Sequence, residues 1–174
     1  FAKIVACIRI AVPYTGMIVS TREDKATRER LLRAGVSQVS GGSRTSVGGY
    51  DHKEEQDDNS SQFDVSDQRS LDEVVGWLID LGYIPSFCTA CYREGRTGDR
   101  FMTLAKSGQI QNCCQPNALM TLNEYLDDYA SADVKEKGKA LIKRELAVIT
   151  NEKVRAKAEE YIANIDAGQR DFRF

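Results

Sequence analysis

The order of apolar and polar positions divides the chain into a front part with strand-length runs and a back part with helical periodicity. Lys3 to Ala11 (KIVACIRIA) is apolar at nearly every position, which predicts a buried strand. A turn around Pro13 to Gly16 leads to a second apolar run, Met17-Ile18-Val19, that ends at Ser20-Thr21-Arg22. Asp24 to Ala34 (DKATRERLLRA) has the spacing of an amphipathic helix, closed by Gly35 as its cap. A third short strand is predicted over Val36 to Ser40, running into Gly41-Gly42-Ser43-Arg44. Strand, helix and strand at these lengths predict a parallel βα unit.

Between Val47 and Gln62 the periodicity disappears into Gly48-Gly49, Asp51-His52-Lys53-Glu54-Glu55 and Asp57-Asp58-Asn59-Ser60-Ser61, which predicts an exposed, mobile loop. Ser70 then starts a helix, with Glu73 at the capping-box position and Leu71, Val74, Val75, Leu78 and Ile79 on one face. That helix is expected to end near Gly82, ahead of the Cys88 segment. Everything after Pro116 is predicted helical. Leu119, Leu122, Leu126 and Tyr129 share a face, as do Leu141, Ile142, Glu145 and Ile149, with Glu145 the polar exception. A last helix carries Val154, Ala158, Tyr161, Ile162 and Ile165. Packing against one another is the expected role of these faces. The fold class expected from the pattern is α/β, with βα units over residues 1–50, a loop over 51–69 and a mostly helical part over 70–174.

Composition changes this picture little. Apolar residues at 41% and charged residues at 29% are the balance of a soluble globular protein of 174 residues. Twenty-four basic against 26 acidic side chains leave a formal charge of −2, which argues against a nucleic-acid or anionic-membrane surface as the main partner. No apolar run reaches the roughly 18 residues that a membrane span needs. Phe1 is not an initiator methionine, and no signal-peptide pattern precedes the first apolar run, so the chain is expected to begin in the middle of a larger protein.

Cysteine chemistry changes it more. Cysteines stand at 7, 88, 91, 113 and 114, an odd number without a secretory pattern, which favours metal binding or burial over a disulfide framework. Cys88-Thr89-Ala90-Cys91 can direct two sulfurs to one centre, and Cys114 completes a C-x2-C-x22-C pattern. Three thiolates with an open fourth position suit an iron–sulfur cluster. A closed zinc site needs a fourth ligand, either Cys113, which would have to turn inward together with its neighbour Cys114, or His52, which lies in an acidic loop. A thioredoxin-type redox pair leaves the third cysteine without a place. Tyr92-Arg93-x-Gly95-Arg96-Thr97-Gly98-Asp99-Arg100 follows directly, and the guanidinium groups of Arg93, Arg96 and Arg100 would stabilise anionic sulfurs or an anionic ligand. The plainer reading of this run is a helix start, with Thr97 as N-cap and Arg100 on a solvated face. Cys7, in an apolar run, is expected to be an inert core thiol, and Cys113 the same or partly exposed.

These residues, together with AVPYTGMI (11–18), STRE (20–23), GSRT (42–45), GGY (48–50), GYIPSFCTACYREGRTGDRFM (82–102), PNALMTLNEYLDDYAS (116–131) and GQRDF (168–172), resemble the HydG family of radical SAM tyrosine lyases of [FeFe]-hydrogenase maturation. The resemblance covers essentially the whole chain and favours iron–sulfur over zinc. It implies the last βα units of a (β/α)8 TIM barrel followed by a helical domain that binds an auxiliary [4Fe-4S] cluster with an extra iron through Cys88, Cys91 and Cys114. The implied activity is cleavage of tyrosine to p-cresol and a dehydroglycine fragment that yields carbon monoxide and cyanide. The auxiliary cluster, its extra iron bridged by free cysteine, collects these ligands as an Fe(CO)(CN) precursor of the hydrogenase H-cluster. Implied partners are tyrosine, free cysteine and other hydrogenase maturation proteins, in the cytoplasm or the equivalent anaerobic organelle, with no nucleic acid and no membrane.

One departure from the family is decisive for activity. The C-x3-C-x2-C motif that binds the cluster reducing S-adenosylmethionine (SAM) is missing, since Cys7 stands alone and the next cysteine is Cys88. SAM and that second [4Fe-4S] cluster belong to the full-length protein, and this chain alone is expected not to generate radicals. The family's iron-binding histidine is expected upstream of Phe1, and His52 does not replace it. Active sites in barrels lie at the C-terminal ends of strands. This rule points to Tyr14, Ser20, Arg22, Ser43 and Arg44 as substrate-side candidates, with Arg9 facing the lumen and an arginine clamping a carboxylate. The alternatives are a zinc-stabilised helical binding module without redox chemistry, and a related radical SAM lyase acting on an aromatic amino acid, whose C-terminal cysteines serve another purpose.

Overall fold

The structure, a computed structural model, describes residues 1–46, 49–50 and 64–174. The loop expected over 47–62, and His52 with it, lies outside the described residues apart from 49–50. The chain forms two compact units, Phe1–Val74 and Val75–Phe174.

In the first unit the opening segment is a helix, α1 (Ala2–Ala11), not the strand that its apolar run predicts. Only Val5 of α1 is buried, while Ile4, Ile8 and Ile10 are exposed. Arg9 therefore lies on a helix instead of facing a barrel lumen. Its guanidinium donates to the carbonyls of Gly35 (2.9 and 2.7 Å), Pro13 (2.8 Å) and Thr15 (2.8 Å), which pins α1 to the turn after the next helix. Cys7 is exposed on α1, so it is not a core thiol.

The βα reading of the following residues holds. β1 (Ile18–Val19) and β2 (Gln38–Val39) pair in parallel, Ile18 opposite Gln38 and Val19 opposite Val39, with α2 (Lys25–Arg33) between them. Asp24 caps α2 through the Thr27 N–H (2.9 Å) and hydroxyl (2.8 Å). Its end closes with the Gly35 N–H on Leu32 O and the Val36 N–H on Leu31 O, both at 3.0 Å, a Schellman pattern that places Val36 against Leu31 in the core. Val5, Val19, Leu31 and Val36 form that core. This sheet has two strands, and the barrel implied by the resemblance is not formed by the described residues.

The helix α3 (Leu71–Asp80) opens with the expected capping box: Glu73 accepts from the Ser70 N–H and hydroxyl (2.8 Å each), and Ser70 Oγ accepts from the Glu73 N–H (3.3 Å). Val75 and Ile79 belong to the core of the second unit. There a short helix α4 (Ala90–Arg93) and α5 (Gly98–Lys106) precede three long helices, α6 (Gln111–Asp128), α7 (Ala132–Ala147) and α8 (Glu152–Asp166). The predicted faces meet: Leu119, Leu122 and Leu126 of α6 pack with Leu141 and Ile142 of α7 and Ile162 and Ile165 of α8. Tyr129, expected on the same face, is exposed at the C-cap of α6. Helix α6 also begins earlier than Pro116, which sits inside it, so Cys113 and Cys114 lie on its first turn. Among the described residues no helix is long and apolar enough to cross a membrane.

Candidate metal centre

The cysteines of the second unit come from two places. Cys88 and Cys91 flank the start of α4, where Cys88 Sγ accepts the Ala90 N–H at 3.4 Å. Cys114 is presented by the first turn of α6, its N–H on Ile110 O at 2.8 Å. The turn after α4 is closed by Gly95 at φ +60, a left-handed conformation, with the Arg96 N–H on Cys91 O at 2.8 Å. This turn folds Arg96 back toward the cysteines.

The thiols are electrostatic neighbours. Although Cys114 is exposed as a residue, desolvation pushes its thiol above the ordinary value, and Cys91, Cys88 and Cys113 then add to that rise by repelling a thiolate there. The Arg96 guanidinium opposes the rise. Among the described residues, no group of three or more histidine, cysteine, aspartate or glutamate side chains is gathered so as to hold a metal ion.

The three arginines after the thiol pair have different roles. Arg96 is buried at 9% exposure, and its guanidinium reaches Cys113 Sγ at 3.5 Å and the Phe174 carbonyl. Its Nε is buried with no hydrogen-bond partner among the described residues. Arg93 instead makes a two-pronged ion pair with Asp171, one prong at 2.9 Å. Arg100 is exposed and donates to Glu94 O at 3.1 Å. Thr97 is the N-cap residue of α5, without a side-chain cap bond. Arg100 thus lies at a helix start on a solvated face, and of the three arginines Arg96 is the one with a sulfur, Cys113 Sγ, in hydrogen-bond reach among the described residues.

The chemistry of the donors suits an iron–sulfur group: they are soft sulfurs, and Cys88 and Cys91 both act electrostatically on the Cys114 thiol. Cys88, Cys91 and Cys114 would hold the group, with the Arg96 guanidinium beside the neighbouring Cys113.

The substrate-side candidates lie in the first unit. Ser20 and Arg22 follow β1, and Ser20 Oγ accepts the Arg22 N–H at 3.3 Å. Arg44 follows β2 with Ser43, and its backbone N–H donates to the Tyr50 hydroxyl at 3.2 Å. Parallel pairing puts these two stretches at the same end of the strand pair. Tyr14 sits in the turn after α1, half exposed.

Sequence reading missed two sets of residues. One is the buried Arg28–Asp67 ion pair, joined by Arg69 at 2.6 Å from Asp67 Oδ2. The other is the group of partners around the final residues, chiefly Asn117, Glu124 and Asp171. The matching GQRDF stretch marked the final segment without showing what it touches.

The Biotin and Thiamin Synthesis associated domain family matches residues 1–84. A crystal structure of HydG, described as a maturase of the [FeFe]-hydrogenase, is similar to 99% of the chain at 48% identity with a TM-score of 0.91. The FeFe-hydrogenase maturase HydG from Carboxydothermus hydrogenoformans is similar to 93% of the chain at 38% identity, with a TM-score of 0.65. The chain spans 37% and 33% of those two proteins. No curated protein sequence matches it.

Proposed function

This chain belongs to the HydG family, matching a C-terminal portion of its members, and from that premise we propose that it serves [FeFe]-hydrogenase maturation by binding an auxiliary iron–sulfur cluster. Cys88, Cys91 and Cys114 are the ligands in this reading. The observation that supports it is the C-x2-C-x22-C set of Cys88, Cys91 and Cys114 in a chain that is similar over 99% of its length to a HydG structure at 48% identity. Three thiolate ligands would leave one iron of a four-iron cluster without a protein ligand.

In the whole protein the reaction is cleavage of tyrosine to p-cresol and a fragment that gives carbon monoxide and cyanide, with SAM and a second cluster as radical source. The auxiliary group, with its extra iron and free cysteine, supplies the metal at which those small ligands are collected. The residues of this chain hold that group, shield its sulfurs and supply positive charge through Arg96. Tyr14, Ser20, Arg22 and Arg44 stay candidates for the substrate side. Radical generation belongs to residues beyond this chain, and other maturation proteins are the partners that receive the product.

The test is anaerobic reconstitution with iron and sulfide, followed by metal analysis and electron paramagnetic resonance. Cys88→Ala, Cys91→Ala and Cys114→Ala each abolish the cluster signal, whereas Cys7→Ala, on exposed α1, keeps it. A colourless protein with stoichiometric zinc would overturn the iron–sulfur reading in favour of a zinc module. A retained signal in the Cys114 variant shows that another residue is the third ligand. With the missing barrel portion added, p-cresol formed without carbon monoxide or cyanide points to the related aromatic amino acid lyase.

A further inference from the structure

The chain leaves α8 at Gly168 and runs back across the cysteine-bearing side of its own unit. Each of its last residues is tied down. Arg170 forms a two-pronged pair with Asp128 of α6 (3.0 and 2.6 Å), and the Asp171 N–H donates to Glu124 at 2.8 Å. Phe172 stacks on Tyr161 at 4.5 Å between ring centroids. The Phe174 N–H donates to Asn117 Oδ1 at 2.9 Å, and its carbonyl accepts from Asn117 Nδ2 at 3.4 Å. This much is anchoring on α6 and α8.

The remaining contacts go to the cysteine loop, and they come from residues 78 or 79 positions away in sequence. Asp171 holds Arg93, Arg173 holds Glu94 at 2.6 Å, and the Phe174 carbonyl holds Arg96. Every charged residue of the Arg93–Arg96 turn is therefore gripped by the final four residues. Asp171 is the one non-glycine among the described residues with a positive φ, at 69°. An aspartate accepts that conformation at some cost. Here it turns the carboxylate toward Arg93 while its N–H stays on Glu124.

We propose that residues 168–174 are a strap that sets the position of the cysteine loop and holds the Arg96 guanidinium beside Cys113, the neighbour of Cys114, and so governs how firmly the site keeps its iron. The ligand assignment it acts on is the one given under Proposed function. The strap's hydrogen bonds and ion pairs with the loop go to its charged side chains and not to the three ligand sulfurs. Asp171, Arg173 and Phe174 are accordingly positioning residues. The α4 helix is too short to hold Cys88 and Cys91 by itself, since it has four residues and one turn. Rigid support for ligands of this kind comes from the surrounding shell of contacts. The pairs are partly exposed, so their grip weakens with salt.

The experiment uses the 174-residue chain carrying Asp171→Ala and Arg173→Ala together, beside wild type and an Ala158→Gly control in α8. Amide hydrogen exchange is measured first, without metal. The double variant is expected to exchange about tenfold faster across residues 88–96, with α7 unchanged and the control unchanged in the loop. Iron release to a chelator from the reconstituted chain is measured second, and is expected to be about tenfold faster in the double variant only. Arg93→Asp combined with Asp171→Arg, which reverses one pair, recovers part of the loss seen with Asp171→Arg alone. Unchanged exchange over 88–96 overturns the strap whether or not the chain takes up iron. Faster exchange in a wild-type background that binds no iron and sulfide supports the strap as a loop clamp and overturns the cluster assignment instead. Faster exchange with unchanged iron release overturns the claim that the strap governs retention.

Discussion

Asp67 and Arg28 show how much one buried pair carries in the first unit. Arg28 is fully buried on the face of α2 that also presents Leu31 and Leu32, and it pairs with Asp67 and the Ser40 carbonyl. Burial lowers the Arg28 pKa, against the pull of Asp67, yet an arginine keeps its charge at neutral pH. The Asp67 carboxyl is held down at about 2, first by its hydrogen bonds from Arg69 and further by the Arg28 charge, against the opposing effect of burial. A carboxyl with a folded pKa below its ordinary 3.8 contributes stability that is complete above about pH 4 and is lost as pH falls toward 2. The displacement amounts to roughly 2 kcal/mol. Removing one partner leaves the other charge buried without compensation, so Asp67→Asn is expected to cost the first unit about 3 kcal/mol. The same variant loses the steep acid dependence between pH 4 and pH 2. Acid titration of exchange at the Leu31 and Val36 amides reads both effects, and an equally steep profile in the variant would remove Asp67 as its source.

At the scale of elements, the second unit depends on a close approach of α6 and α7. A Cβ added at Gly138 of α7 would lie 2.4 Å from Leu126 Cδ1, and Leu126 is fully buried. Gly138→Ala therefore forces the helices apart or Leu126 off its rotamer, although alanine is the better helix former. A loss of about 1–3 kcal/mol is expected, read as a lower urea midpoint with an unchanged slope. A stabilised variant would mean that helix propensity prevails over packing here. Elements with local signals were legible in the sequence: Ser70 as a cap, Gly35 and Gly82 as ends, and the leucine faces of α6 and α7. The opening helix was not, because KIVACIRIA is apolar on all sides and a short apolar run fits a buried strand and a helix alike. Its exposed Ile4, Ile8 and Ile10 leave no helical stripe to read. The start of α6 was hidden by Pro116, which reads as a boundary but lies one turn inside the helix. The thiol spacing was legible because Cys88 and Cys91 are neighbours in sequence. The grip of Asp171, Arg173 and Phe174 on Arg93, Glu94 and Arg96 was not, since a contact between residues nearly eighty apart leaves no local pattern.

For the whole molecule, the division into two units separates the proposed ligands from the two-stranded βα segment. Cys88, Cys91 and Cys114 all belong to Val75–Phe174, and Cys7 belongs to Phe1–Val74. A group that binds the folded thiolates and not the unfolded chain stabilises what it binds by mass action, about 2.7 kcal/mol at a hundredfold excess over the dissociation constant. That free energy enters the unit that supplies the ligands. Anaerobic loading with iron and sulfide is therefore expected to slow amide exchange in α6 and in the loop over 88–96. The amides of Val19, Leu31 and Val36, the core of the first unit, keep their metal-free rates. Stripping the iron with a chelator restores the original exchange in α6. The Cys114→Ala chain, given the same treatment, shows no slowing in either unit, because the third thiolate that ties α6 to the loop is gone. Equal slowing of both units on loading would show that the metal acts on the chain as one cooperative body, and the ligand energy could then not be assigned to the helical unit alone.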